Sequence, residues 1–402
     1  MTDPRSQPIP ADFPLATSSW DGAERAAIQR VIDSDRYTMG PEVKAFEQEF
    51  AAYFGARYAV MVNSGSSANL IAVAAASLDD HTRLQPGDEV LVPAVSWSTT
   101  YYPLHQYGLR LKFVDIDPAT LNMDLGLARE AIGPRTRAVM AVNLLGNPND
   151  FSTLGSLCEE FDLVLLEDNC ESMGAEFEGR TAGTFGVMGS FSTFYSHHIS
   201  TMEGGVVVTD SELYAQMLTS IRAHGWTREL PSENRVYPKS GDAFEDLFRF
   251  VLPGYNVRPI EMAGAIGREQ LKKVPSLIAG RRANAKLFVD RFAGRNDVTI
   301  QRETGRSSWF GFSLVLQNRL AGRRSDVVRA LAAVGIESRP IVAGNFARNP
   351  VISRLDAIVP ESLPVADKIH FDGLFVGNHH YRLEAQIDQL VGVFDRLAGE
   401  AA

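Results

Sequence analysis

The chain has 402 residues, 45% hydrophobic and 22% charged, with a formal net charge of −10. That length predicts two or three folding units, or one large α/β unit with a smaller one attached. The acidic balance, unrelieved by any lysine/arginine block, disfavours nucleic acid and anionic membrane as partners. No stretch reaches the roughly 18 uninterrupted apolar residues that suggest a membrane span. Met1–Trp20 is polar and proline-bearing and has no apolar signal core, so the expected location is cytoplasmic. Two cysteines, Cys158 and Cys170, are too few for a disulfide framework, a four-cysteine zinc site or a cysteine-ligated iron–sulfur cluster.

In chain order, Pro41–Phe54 places Val43, Phe46, Phe50 and Phe54 at spacings of three and four, which predicts a packing helix. Tyr58–Val62 is a short apolar run. Strands are then predicted at Glu89–Val95, Leu111–Ile116, Ala138–Leu144, Leu163–Leu166, Gly189–Phe194 and Gly205–Thr209. Helical patterns at Asn69–Leu78, Leu125–Ile132 and Leu154–Phe161 lie between several of them. This alternation predicts a mostly parallel sheet covered by helices on both faces, with ligands beyond the carboxyl ends of its strands. Arg222–Asp246 has no period and reads as a long irregular excursion. The pattern restarts with a helix at Ala279–Phe292, an alternating Trp309–Leu316, a helix at Ser325–Val334 and Ile336–Val342. The expected division is a large α/β unit, residues 1–274, and a small α+β unit, residues 275–402.

Asn63-Ser64-Gly65-Ser66-Ser67-Ala68-Asn69 follows the first apolar run and opens a helix. Helix N-termini leave backbone N–H groups unpaired, and small side chains let an anion approach them. A capped start needs only one Ser or Asn; four consecutive small polar residues make Gly65 and Ser66 candidates for a phosphate site. Asp168 ends a buried strand, where a carboxylate can pair with a protonated pyridine nitrogen, bind a metal or cap a helix. Trp97 closes another strand and is either a stacking surface or core. Gly189–Gly205 runs from a strand into a Ser/Thr/His-rich loop containing Ser192, His197 and His198. A metal reading of the paired histidines is weak, because adjacent side chains of an extended segment point opposite ways. Arg339–Pro350 joins guanidiniums to a Gly-Asn turn, suited to sugar or diphosphate contacts, whereas Arg348 reads equally as a solvated surface arginine and the pair His379-His380 reads as exposed loop residues with no role.

Taken in order, Ser64–Asn69, Trp97, Glu167-Asp168, Phe191–Gly205 and Gly254-Tyr255-Asn256-Val257-Arg258 resemble the DegT/DnrJ/EryC/StrS group of pyridoxal-phosphate sugar aminotransferases. The resemblance spans nearly the whole chain. It implies an aspartate-aminotransferase-like fold (fold type I). The cofactor phosphate would sit at Gly65, Ser66 and Ser192, its ring against Trp97, its ring nitrogen at Asp168 and its phenolic oxygen near Glu171. Asn256 of a second subunit would reach the phosphate, so a homodimer with shared sites is implied, with Arg258, Arg339 and Asn345 toward the substrate.

One departure changes the expected reaction. In the group's aminotransferases a lysine six residues before the Glu of Glu-Gly-Gly forms the Schiff base; here Glu203 is preceded at that distance by His197. Imidazole exchanges protons near neutral pH but forms no stable imine. This resembles the 3-dehydratase branch, which removes the C3 hydroxyl of nucleotide-linked 4-keto-6-deoxyhexoses, using pyridoxamine phosphate regenerated with glutamate. Glu171 stands where aminotransferases tend to carry Gln, a departure in the same direction. The cysteine count favours the members without an iron–sulfur cluster, which act on GDP-4-keto-6-deoxymannose. Two other readings stay open: an aminotransferase whose lysine has moved, with Lys239 the one lysine between Lys112 and Lys272, and an inactive sugar or cofactor binder.

Overall fold

The computed structural model describes residues 12–79 and 84–400; the first eleven residues of the Met1–Trp20 reading lie outside them. Among the described residues the main sheet has eight strands. In spatial order they are Tyr58–Val62, Gly205–Thr209, Met188–Ser192, Val164–Asp168, Thr136–Val142, Glu89–Pro93, Arg110–Val114 and Ala357–Ile358. From Met188–Ser192 to Ala357–Ile358 neighbours run parallel, whereas Gly205–Thr209 is antiparallel to both of its own. Every residue of Glu89–Pro93, Met188–Ser192 and Gly205–Thr209 is buried, as sandwiching between helix layers requires.

Helix Pro41–Phe54 has the predicted bounds and packs one face, its Phe50 and Phe54 meeting Phe191 at 5.2 and 5.3 Å between ring centroids. On the other face lies Gly65–Leu78, which starts four residues before the predicted Asn69 because Ser64 is its N-cap, accepting from the Ser67 amide at 3.0 Å. The excursion is irregular apart from the single turn Ala243–Asp246.

A second, antiparallel sheet orders Val298–Thr299, Gly311–Leu316, Gly373–Gly377 and Ser338–Arg339. Helices Val274–Phe292, Arg324–Ala332 and Glu384–Glu400 contribute to its core, in which Phe288 stacks on Phe312 at 4.3 Å. The strand expected over Ile336–Val342 is cut to two residues, since Pro340 has no N–H to extend the ladder. The expected division at 274/275 coincides with the start of a helix, but chain crosses it both ways. Phe13 joins the small core, bridging to Ile336, while Ala357–Ile358 completes the edge of the large sheet.

Candidate active site

Where the carboxyl ends of the parallel strands meet the N-terminus of Gly65–Leu78, a cleft of about 520 Å³ opens, at the position expected of such sheets. Gly65, Ser66, Trp97 and Asp168 line it, together with Glu171, Ser192, His197 and Arg339.

The helix end is built for close approach. A Cβ at Gly65 would stand 2.6 Å from the Ser192 Cβ and 2.9 Å from the Cys170 Sγ, and one at Gly205 would stand 2.2 Å from the Ser64 carbonyl oxygen. Only glycine lets strand, helix and loop converge there. The Ser66 Oγ lies 2.8 Å from the Thr99 Oγ1, tying this helix start to that of Ser98–Gln106. Two N-termini therefore aim positive dipole ends at the cleft. Trp97 precedes the second helix with its indole 58% exposed at the rim.

Asp168 forms the floor. Its Oδ2 accepts from the Asn69 Nδ2 at 2.8 Å and the Thr100 Oγ1 at 2.7 Å, and its Oδ1 from the Cys170 amide at 3.2 Å. Asn69 is itself oriented by the Ser190 hydroxyl, which donates to its Oδ1 at 2.6 Å. One residue back, Glu167 turns the other way and accepts from the Gly183, Phe185 and Gly186 amides, pinning a loop beneath the sheet. Burial pushes the Glu171 carboxyl up to about 7; the Leu145 amide, donating to Oε2 at 3.0 Å, opposes that, and the charge of Asp168 adds to it.

His197 forms the side wall, half-buried between the rings of Phe310 at 5.2 Å and Phe194 at 5.9 Å. Its Nδ1 is buried without a hydrogen-bond partner. Burial, and then the charge of Arg281, push the imidazole down to about 4, so it is neutral and proton-accepting at pH 7. His198 is buried beside it, its Nε2 lying 3.3 Å from the Ser308 carbonyl oxygen. Among the described residues no three His, Cys, Asp or Glu side chains gather to hold a metal.

Asn345, Arg258, Asn256 and Arg348 lie outside the cleft lining. Asn345, expected at the substrate, is 3% exposed. Its amide donates to the Asp367 Oδ1 at 2.7 Å and its Oδ1 accepts from the Ala347 amide at 3.0 Å, so it caps a short turn. Arg258 donates through Nε to the Asn256 Oδ1 at 2.9 Å, both residues following the excursion. Arg348 pairs with Asp367 on the surface. His379 is not an exposed loop residue: it is 1% exposed, with Nε2 2.7 Å from the Pro14 oxygen and Nδ1 3.1 Å from the Thr17 Oγ1, fastening the N-terminal segment. Sequence reasoning passed over Thr100 and Arg281, and took Asn69 as a helix start only.

Pyridoxal phosphate can be tested against this arrangement. Free helix N–H groups beside a glycine that admits no Cβ suit a phosphate, Asp168 suits a ring nitrogen, and the exposed indole suits a flat ring; the residues fit. Residues 19–394 match the DegT/DnrJ/EryC1/StrS aminotransferase family, and the chain belongs to it. It is 54% identical over 390 residues to a GDP-4-keto-6-deoxy-D-mannose 3-dehydratase of Yersinia pseudotuberculosis, covering 96% of this chain and 99% of that relative. The Escherichia coli GDP-4-keto-6-deoxy-D-mannose-3-dehydratase with bound hydrated PLP matches with a TM-score of 0.93 at 54% identity, covering 95% of this chain and 99% of that one. A GDP-4-keto-6-deoxymannose-3-dehydratase with a trapped PLP-glutamate geminal diamine matches at the same TM-score and identity, over 95% and 100% of the two chains. The architecture is that of the pyridoxal-phosphate-dependent aminotransferases.

Proposed function

We propose that this chain is a pyridoxal/pyridoxamine phosphate-dependent 3-dehydratase of GDP-4-keto-6-deoxymannose. Glutamate is its amino donor and reductant and leaves as 2-oxoglutarate, and its other products are the GDP-linked 4-keto-3,6-dideoxyhexose and ammonia. The observation that carries the reading is His197 in the cleft wall, where the family's aminotransferases need a lysine. The named relatives, 54% identical over nearly full length, support the same substrate.

The amides of Gly65 and Ser66 and the hydroxyl of Ser192 would hold the cofactor phosphate, Trp97 its ring face, Asp168 its ring nitrogen and Glu171 its phenolic oxygen. When bound, the cofactor supplies an electron sink and, in its amine form, the nitrogen that engages the sugar ketone. His197, neutral at pH 7, takes a proton on the cofactor side of the cleft and is placed to return it to the hydroxyl leaving C3. Its imidazole cannot keep the cofactor covalently, so the deoxygenated sugar departs as an enamine that water converts to ketone and ammonia.

The relocated-lysine reading loses support: among the described residues no lysine lines the cleft, and the Lys239 Nζ donates to the Leu230 carbonyl at 2.6 Å within the excursion. A homodimer belongs to this proposal. Asn256 and Arg258 do not line their own cleft and are close in sequence to the exposed Phe244, Phe248, Phe250 and Ile260, a surface suited to a second copy whose cleft they would complete. Arg339 lines the cleft as a candidate for the substrate diphosphate. A cytoplasmic location is part of the same reading.

Borohydride reduction in the presence of pyridoxal phosphate, followed by intact-mass measurement, tests the noncovalent cofactor. Unchanged protein mass is expected. A reduced adduct on any side chain sinks the proposal.

A further inference from the structure

Arg281 projects from helix Val274–Phe292 behind the His197 wall. It is 6% exposed, and its Nη1 donates to the carbonyl oxygens of Phe310 at 3.0 Å and Asn378 at 2.6 Å. Its Nε has no partner, and among the described residues no carboxylate pairs with it. Other arginines that turn inward are paired: Arg222 meets Glu47 at 2.5 Å, and the adjacent Arg282 meets Glu176 at 3.5 Å. A buried cation without a counter-charge is strongly disfavoured, and the partners of this one are two backbone carbonyls. Its charge opposes protonation of His197, His198, His379 and His380 alike. Its carbonyl partner Phe310 carries the ring that packs on both His197 and His198, at 5.2 and 5.7 Å.

We propose that Arg281 is a positioning residue for proton transfer. Its guanidinium, held by the Phe310 and Asn378 carbonyls without a counter-charge, fixes the aromatic surface on which the His197 imidazole rests and places a fixed positive charge behind it. The inference builds on the reading of His197 as the proton carrier. The charges facing His197 divide by side. Asp168, Glu171, Glu203 and Arg339 line the cleft, and burial is the first cause that disfavours an imidazolium there. From behind, Arg281 opposes it, with His198 adjoining. Burial is the larger cause that keeps His197 neutral, and the charge of Arg281 adds to it from behind.

Labelling the eight histidines with carbon-13 at Cε1 allows each ring to be titrated by NMR in the full chain, His197 being assigned by its loss in His197→Asn. In the native protein the His197 signal should stay in its neutral form well below the ordinary midpoint of about 6.5. Arg281→Gln keeps an amide donor for the two carbonyls and removes the charge; the midpoint should rise by roughly one pH unit or more. Arg281→Lys keeps the charge and should stay within roughly half a unit of native. The acid limb of the pH–rate profile should move with the Gln variant's midpoint. A native midpoint near 6.5, or an Arg281→Gln protein that titrates like native, overturns the proposal. Should Arg281→Gln fail to fold, the native midpoint and Arg281→Lys decide. His197→Asn retaining full turnover would remove the functional reading instead, leaving the titration result standing, so the two failures are distinguishable.

Discussion

Asp168 receives hydrogen bonds from Asn69, Thr100 and the Cys170 amide, and these fix the direction of a carboxylate that could otherwise rotate. Asn69→Leu removes one donor to a buried charge, a change worth about 1–3 kcal/mol. Pyridoxal phosphate affinity should fall roughly tenfold by fluorescence titration, a 1.4 kcal/mol effect; unchanged affinity would mean that Asn69 serves folding alone. His197→Asn should lower turnover by at least about a hundredfold, the ordinary worth of a general base, with cofactor affinity retained. Glu171 gives a signed pH effect. Its carboxyl is raised to about 7 in the folded protein from an ordinary 4.5. Its contribution to stability is therefore present below pH 4.5 and lost as pH rises through 7. Glu171→Gln should raise the melting temperature relative to native more at pH 8 than at pH 5, which calorimetry at the two pH values would show.

At this scale the sequence was legible wherever chemistry coincides with an element boundary. Gly65, Asp168 and Ser192 sit at strand or helix ends, where small or ionisable residues have few structural excuses, and His197 lies in the loop that follows Ser192. Asn345 misled because a Gly-Asn turn serves equally as a helical cap. Arg281 was invisible because its partners Phe310 and Asn378 lie 29 and 97 residues away, and nothing local marks an arginine as buried.

Among the elements, the strand Gly205–Thr209 and the helix Gly65–Leu78 meet so closely that Ser64 leaves no room for a side chain at Gly205. Gly205→Ala should cost about 2–4 kcal/mol through that overpacking and weaken cofactor binding at the same time, read from thermal melts and fluorescence titration. Gly155 provides the contrast. It lies within helix Phe151–Phe161, and an added Cβ meets nothing within 4 Å. Gly155→Ala should stabilise by about 0.5–1 kcal/mol, since alanine loses less backbone freedom in a helix. Strands of the large sheet were readable as apolar runs because both faces are buried. The two-residue Ala357–Ile358 was not, because its place at the sheet edge comes from pairing with Arg110–Val114, a contact that no local period announces.

For the whole molecule, histidine burial sets the acid limit. His197 and His380 are pushed down to about 4 and His379 to about 3, each first by burial and then by Arg281. Groups depressed in the folded state stabilise it above their unfolded value near 6.5, and that contribution is lost as pH falls toward 4 and 3. The melting temperature should fall steadily from pH 6.5 to 4 in calorimetry, and a flat profile over that range would contradict the burial of these rings. In the proposed dimer, Asn256 and Arg258 would reach the cleft of the second copy. Mixing His197→Asn with Asn256→Ala should restore part of the activity that each lacks, because one mixed site has both native residues.

The most direct measurement follows the oxygen and the nitrogen of the sugar. The enzyme, supplied with pyridoxal phosphate, glutamate and GDP-4-keto-6-deoxymannose, is assayed by mass spectrometry of the nucleotide sugar together with ammonium determination. A product one oxygen lighter than substrate, free of nitrogen and matched by ammonium, is the predicted result. A product bearing an amino group at C4 with its C3 hydroxyl intact, and no ammonium, would contradict the account.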